Sequence, residues 1–192
     1  AADPANPAAI TRLFQAKRRP RDLAIPVLVG SADQVELLVA DITPQARALM
    51  EAFWPGGLTL VLVANPDSAW DLGDRPGTIA VRQPDPPVAL DLFLRPGPLA
   101  VTSANLSGRP PALTAAQAIH QLGDVVAVYV EAGVAPGGTA STVVDATDSA
   151  SPPRVIREGA ISRRLIESAL RRAAGFPPTG PLDGFAVLEA EP

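Results

Sequence analysis

The stretch Pro98-Leu-Ala-Val-Thr-Ser-Ala-Asn-Leu-Ser-Gly108 concentrates groups that can do chemistry. An apolar run, Leu99 to Val101, gives way at once to Thr102, Ser103, Asn105, Ser107 and Gly108. A strand ending in small hydroxyls and amides suits a pocket floor, because these groups donate and accept hydrogen bonds without filling the space a ligand needs. The same composition also suits a plain strand-to-helix loop. Lys17-Arg18-Arg19-Pro20 falls where a helix ends. An ammonium and a forked guanidinium two positions apart can grip neighbouring phosphates, and cations there also complement a helix dipole.

Further cations stand at strand ends. Thr78-Ile-Ala-Val-Arg82 closes an apolar strand with an arginine placed for a carboxylate or phosphate. An ordinary surface arginine paired with Asp85 would look the same. Pro136-Gly-Gly-Thr-Ala-Ser-Thr-Val-Val-Asp145 runs from a glycine-rich loop into a strand. Its backbone N–H groups could face an anion, with Ser141 and Thr142 adding hydroxyls, or it could be a long hairpin loop. It is not a Walker loop, since no Gly-Lys-Ser/Thr comes after it. Arg154-Val-Ile-Arg-Glu-Gly159 places Arg157 beside another strand end.

No paired acids, Cys/His pair or nucleophile elbow stands out. The single histidine, His120, falls within a helical pattern, which argues against a Ser-His-Asp triad and a multi-histidine metal site. The absence of cysteine excludes disulfides and thiolate metal sites. Hydroxyls, amides and scattered cations suit a reaction driven by positioning and electrostatics, such as chemistry at a nucleotide phosphate. The net charge of −4 argues against nonspecific nucleic-acid binding through bulk charge. No apolar run approaches the ~20 residues of a membrane span, so a cytoplasmic protein without membrane partners is expected.

Pattern and punctuation define the elements that must position these groups. At 192 residues and 47% hydrophobic, the chain suits one domain with a substantial core. With only 4% aromatics, that core must rest on Val, Leu, Ile and Ala. Asn6-Pro7 reads as an N-cap and first helical residue, with Ile10, Leu13 and Phe14 on one face. Ser31-Ala-Asp-Gln34 is a capping-box pattern opening a helix with Val35, Leu37 and Leu38. Thr43-Pro44 opens a helix that Pro55-Gly56-Gly57 stops. Residues 58–64 read as a central strand buried on both faces. Further strands are predicted at 26–29, 78–82, 98–102, 125–130, 142–145 and 154–157, and further helices at 86–94, 114–122 and 162–174. The interleaving gives an α/β class with a mixed sheet. Residues 1–174 form the expected domain, and the Pro/Gly-rich residues 175–192 read as a tail.

Six motifs in order carry a resemblance: Lys17-x-Arg19-Pro20, Phe53-Trp-Pro-Gly-Gly-Leu-Thr59, Thr78-Ile-Ala-Val-Arg82-x-Pro84, Ser103-Ala-Asn105-x-Ser-Gly108, Ser141-Thr-Val-Val-Asp145 and Arg157-x-Gly159. Together they resemble the YrdC family of threonylcarbamoyl-AMP synthases. The resemblance implies a twisted mixed sheet with flanking helices around a deep basic cavity. It implies synthesis of L-threonylcarbamoyl-AMP from L-threonine, bicarbonate and ATP, with Mg²⁺ carried by ATP and pyrophosphate released. A downstream transferase complex then passes the threonylcarbamoyl group to tRNA, which the protein itself could contact. Carried over residue by residue, Lys17 and Arg19 clamp the ATP phosphates and are the catalytic pair. Ser103, Asn105, Thr78 and Arg157 complete the ATP site, while Arg82, Ser103 and Ser141 face threonine.

The chain departs from the pattern in places. The family strand Pro-Thr-(Asp/Glu)-Thr-x-Tyr-Gly-Leu, which helps bind threonine, is absent. Residues 1–6 resemble the family segment immediately C-terminal to that strand, so a preceding piece is expected. Ala24 replaces a frequent proline, and Leu28 replaces a histidine that contacts threonine in some relatives. Two other readings compete: a tRNA- or double-stranded-RNA-binding module without catalysis, and a related carbamoyl-adenylate-forming carbamoyltransferase domain. The acidic balance and scarce aromatics count against the first. Such carbamoyltransferase domains generally sit in longer multidomain chains.

Overall fold

The computed structural model describes residues 1–68, 70–85, 87–135 and 138–177. Pro86, predicted to start a helix, Pro136 and Gly137 of the glycine-rich loop, and most of the predicted tail lie outside the described residues. Six strands form one sheet: β1 (Val27–Leu28), β2 (Leu58–Val63), β3 (Thr78–Arg82), β4 (Leu99–Ala100), β5 (Thr142–Asp145) and β6 (Arg154–Arg157). Their order is β4-β1-β3-β2-β5-β6. The β1/β3 and β2/β5 pairs are parallel and the other three are antiparallel. The mixed sheet expected from the sequence is therefore present.

Local chemistry sets the helices. Helix α1 (Pro7–Lys17) begins where the Asn6 side chain accepts from the Ala9 N–H, and ends where Arg18 turns left-handed at φ 49°. Helix α2 (Pro44–Phe53) is capped by Thr43 accepting from Ala46 N–H. Helix α3 (Pro87–Leu94) precedes β4. Helix α4 (Ala115–Leu122), which holds His120, is capped by Thr114. Helix α5 (Arg163–Ala173) closes the fold. Among the described residues, no helix is long and apolar enough to cross a membrane.

Strand alternation divides the sheet into two unlike faces. Val27, Leu58, Leu60, Leu62, Ile79, Val81 and Val144 are at most 3% exposed. They join Ile10 and Phe14 of α1, Leu49 of α2 and Ile166 and Leu170 of α5 in one core. The other face carries Val61, Ala80, Arg82, Val143 and Arg154, all half-buried, and exposed Val63, Thr78 and Arg157. Register assembles that face across strands: Leu28 lies opposite Arg82, and Val143 lies opposite both Thr59 and Arg157. The β2/β3 pairing of Leu60 with Val81 brings Thr59 beside Arg82 at the next step. One row thus crosses five strands and includes two arginines.

Several expectations need correction. β2 is central but buried on both faces only over residues 58–60, because Val61 is half-buried and Val63 is exposed. Residues 125–130 do not form a strand: a short 3₁₀ turn (Gly123–Val125) comes first, and Val125, Val128 and Val130 stay exposed. Their β-propensity is realised only against a partner strand, and none pairs with them among the described residues. The capping box at Ser31 opens a 3₁₀ helix (Ala32–Leu37) in which Ser31 caps nothing. Gln34 instead accepts from the Gly30 N–H at 2.8 Å, which holds the turn after β1, and Leu37 is exposed. The strands predicted at 26–29 and 98–102 shrink to two residues each.

Candidate functional site

Lys17, the last residue of α1, is only 3% exposed. A buried ammonium is tolerable only where its protons meet oxygens. Its Nζ donates to Ser103 O at 2.5 Å, Asn105 O at 2.6 Å and Asn105 Oδ1 at 2.7 Å. The Ser103 hydroxyl donates to the same Oδ1 at 2.6 Å, and Asn105 Nδ2 donates to Leu106 O and Arg109 O. The backbone answers: Ser107 N–H donates to Lys17 O at 2.8 Å. The polar run after β4 is therefore stapled to the end of α1. All three ammonium protons are directed at loop oxygens.

Arg19 lies just beyond the helix end. Its Nε donates to Leu23 O at 2.8 Å and its Nη2 to Ala24 O at 3.0 Å. Burial lowers its pKa, Asp22 opposes that shift and Arg157 adds to it. Burial likewise pushes Lys17 down to about 8, and Arg19 adds to the shift. Lys17 thus feels the charge of Arg19, and Arg19 feels those of Asp22 and Arg157. Among the described residues none of Lys17, Arg19 and Arg157 is ion-paired with a carboxylate.

Arg157 belongs to a second cluster. Its Nη2 donates to Ser141 O at 2.8 Å and approaches Ser141 Oγ at 3.4 Å. The Ser141 and Thr59 hydroxyls lie 2.8 Å apart. Buried Thr142 braces this corner: its Oγ1 donates to Ile161 O and accepts from the N–H groups of Gly159 and Ile161, each at 2.9 Å. Gly159 is required here, because a Cβ would fall 2.1 Å from Ala140 O and 2.7 Å from Ser141 C. Arg82 donates through Nε to Gly56 O at 2.7 Å, not to Asp85. Burial lowers its pKa and Asp85 opposes the shift.

Thr78 stands apart at the opposite end of β3, where its hydroxyl donates to Arg75 O at 3.3 Å. It lines a cavity of about 580 Å³ with Ala24, Val63, Trp70, Leu72 and Ala80. Ala24 links that cavity to Arg19, whose guanidinium it holds.

The fold therefore brings Lys17, Ser103 and Asn105 into direct contact, ties Arg19 to the carbonyls of Leu23 and Ala24, and joins Arg157 to Ser141. Thr59 was not anticipated as a site residue, although one hydroxyl in the apolar run Leu-Thr-Leu-Val-Leu-Val is a readable signal. Gln121, which accepts from Leu106 N–H at 3.1 Å, left no such signal.

The sequence profile of the Sua5/YciO/YrdC family, described as "Telomere recombination", matches residues 1–159. The chain belongs to the Sua5/YciO/YrdC family. A Mycobacterium tuberculosis relative, provisionally named a threonylcarbamoyl-AMP synthase, is 47% identical over 169 residues, covering 88% of this chain and 77% of its own. A Bacillus subtilis relative named threonylcarbamoyl-AMP synthase is 36% identical, covering 86% of this chain and 48% of its own. Pyrococcus abyssi Sua5, solved in complex with L-threonine, superposes with a TM-score of 0.77 at 32% identity, over 87% of this chain and 49% of Sua5. Escherichia coli YciO shares the fold at a TM-score of 0.71 and 23% identity, over 80% of this chain and 74% of YciO. This Sua5/YciO/YrdC chain thus spans about half the length of the B. subtilis and P. abyssi proteins.

Proposed function

We propose that the protein makes L-threonylcarbamoyl-AMP from L-threonine, bicarbonate and ATP, the first step of threonylcarbamoyladenosine formation in tRNA. The observation that carries this reading is the pair of polar clusters: buried Lys17 bonded to Ser103 and Asn105, and Arg157 bonded to Ser141, whose hydroxyl lies 2.8 Å from that of Thr59. Cations set among hydroxyls and amides suit an anion, and the phosphates of a nucleotide present several charged oxygens to them. The names of the relatives and the threonine bound to the P. abyssi protein support the choice of substrates.

In this reading the cations line the basic cavity that receives the ATP phosphates, with Ser103 and Asn105 as the wall that Lys17 holds. Thr78 contributes at the nucleotide from the neighbouring cavity. Arg82, Ser103 and Ser141 face threonine. The threonine amine adds to CO₂ derived from bicarbonate and gives up a proton, forming a carbamate. A carbamate oxygen then attacks the α-phosphorus, and the bond from that phosphorus to the bridging oxygen breaks to release pyrophosphate. Arg19 and Arg157 offset charge gathering on the phosphorus centre and leaving group. Mg²⁺ enters with the ATP phosphates. No side-chain nucleophile takes part. The product passes to a transferase complex that modifies tRNA in the cytoplasm.

Removing the cations tests the reading. Arg19→Ala and Arg157→Ala should each cut threonine-dependent pyrophosphate release by about 100-fold, the scale of one lost electrostatic contact to a transition state, with unchanged circular dichroism. Near-normal release in both would overturn the phosphate assignment.

A further inference from the structure

Of the basic run Lys17-Arg18-Arg19-Pro20-Arg21, the proposed chemistry uses the first and third residues and leaves Arg21 unexplained. Arg21 packs its guanidinium over the Phe14 ring, 4.8 Å from the centroid. Its Nη2 pairs with Asp71, and its Nε lies 3.5 Å from Asp74 Oδ1. The two chain segments are also joined through their backbones. Asp74 N–H donates to Arg21 O, and Ile25 N–H donates to Leu72 O, both at 2.8 Å. Between them Gly73, at φ +126°, lies so close that a Cβ would sit 2.7 Å from Arg21 O and 3.0 Å from Ala24 Cα. Residues 71–74 therefore cross residues 21–25 like a strap.

Between the two backbone attachments of the strap, at Arg21 and Ile25, lie the carbonyls of Leu23 and Ala24. Those two carbonyls are the acceptors that aim the Arg19 guanidinium. An arginine has many rotamers, and a fork held at two nitrogens retains few of them. We infer that Arg21 is a positioning residue for ATP binding: its ion pairs with Asp71 and Asp74 lock the strap, and the strap fixes the carbonyls that aim Arg19. The inference rests on the reading of Arg19 as a phosphate ligand.

The test is a double-mutant cycle read as the Kd for ATP by titration calorimetry, with L-threonine affinity measured in parallel. Arg21→Ala should weaken ATP about tenfold and leave L-threonine within about twofold. Asp71→Asn combined with Asp74→Asn should weaken ATP in the same direction by at least about threefold, although it removes negative charge and leaves every arginine in place. A purely electrostatic role for Arg21 predicts the opposite sign for that pair. Arg19→Ala with Arg21→Ala should bind ATP no more weakly than Arg19→Ala alone. Independent, multiplying effects would overturn the inference, as would an Arg21→Ala protein with native ATP affinity. If Arg21→Ala fails to fold, the near-isosteric Asp-to-Asn pair decides. An Arg19→Ala protein that binds ATP normally would refute the reading of Arg19 itself, an outcome distinct from a native Arg21→Ala protein beside an impaired Arg19→Ala one.

Discussion

A lysine at the end of a helix usually stands in water, where its charge complements the dipole at little cost. Lys17 is buried, and its three protons are all taken by the 103–105 loop. The consequence is a pKa held at about 8 against the ordinary 10.5, by burial first and by Arg19 second. Between about 8 and 10.5 the unfolded chain keeps a proton that the folded chain has lost, so this group's contribution to stability rises with pH in that window. Below about 8 both states are protonated and the contribution is flat. Binding runs the other way, because the site loses a positive charge and a donor as the ammonium deprotonates. ATP affinity should therefore fall between about pH 7 and about pH 9 while urea-midpoint stability does not fall with it. Affinity that stays flat across that interval would contradict the assignment of charge to Lys17. Lys17 and Arg19, and Ser103 and Asn105, were legible as candidates because each pair sits in a short local motif. The contact between the two motifs was not, since they lie 86 and 88 residues apart.

At the scale of elements, the corner between β5 and β6 shows how backbone packing sets a candidate site side chain. Gly159 lies against the backbone of Ala140 and Ser141, and Arg157 reaches back to the Ser141 carbonyl. Gly159→Ala should force the 140–141 backbone outward, at a cost of about 1–3 kcal/mol in stability. It should also misplace Ser141 and Arg157, so turnover falls more than the melting temperature suggests. Steady-state kinetics beside a thermal melt checks this; a melt lowered with kcat intact would separate the corner from the site. Helix starts were readable here because Asn6, Thr43 and Thr114 each cap the backbone three residues on. The apolar residues 125–130 were misread as a strand for the converse reason: a strand needs a partner, and local composition does not supply one. The two-residue strands β1 and β4 were placed correctly but drawn too long, since pairing sets where a strand stops.

For the whole molecule, one face of the sheet joins the helices in the core, and register gathers Arg82, Thr59, Val143 and Arg157 into a row on the other. The α/β class was visible in the sequence, whereas the strand order β4-β1-β3-β2-β5-β6 was not, because it depends on contacts between distant segments. Net charge also misleads if read alone: the chain carries −4 overall, yet none of Lys17, Arg19 and Arg157 is ion-paired with a carboxylate among the described residues. Local charge against an acidic background predicts selective behaviour toward salt. Raising NaCl from about 0.1 M to about 0.5 M should weaken ATP binding several-fold. Double-stranded RNA should bind no more tightly than the nonspecific range of about 10⁻⁴–10⁻⁶ M seen for nucleic acids. Tight RNA binding with salt-insensitive ATP binding would favour the RNA-binding module over the enzyme.

The most direct measurement supplies the purified protein with ATP, ¹³C-bicarbonate and L-threonine and tracks the products by mass spectrometry. The account predicts pyrophosphate and a threonylcarbamoyl adenylate carrying the ¹³C label, formed only when all three substrates are present. Turnover of carbamoyl phosphate without threonine, or no labelled adenylate from protein that binds both ATP and threonine, would contradict it.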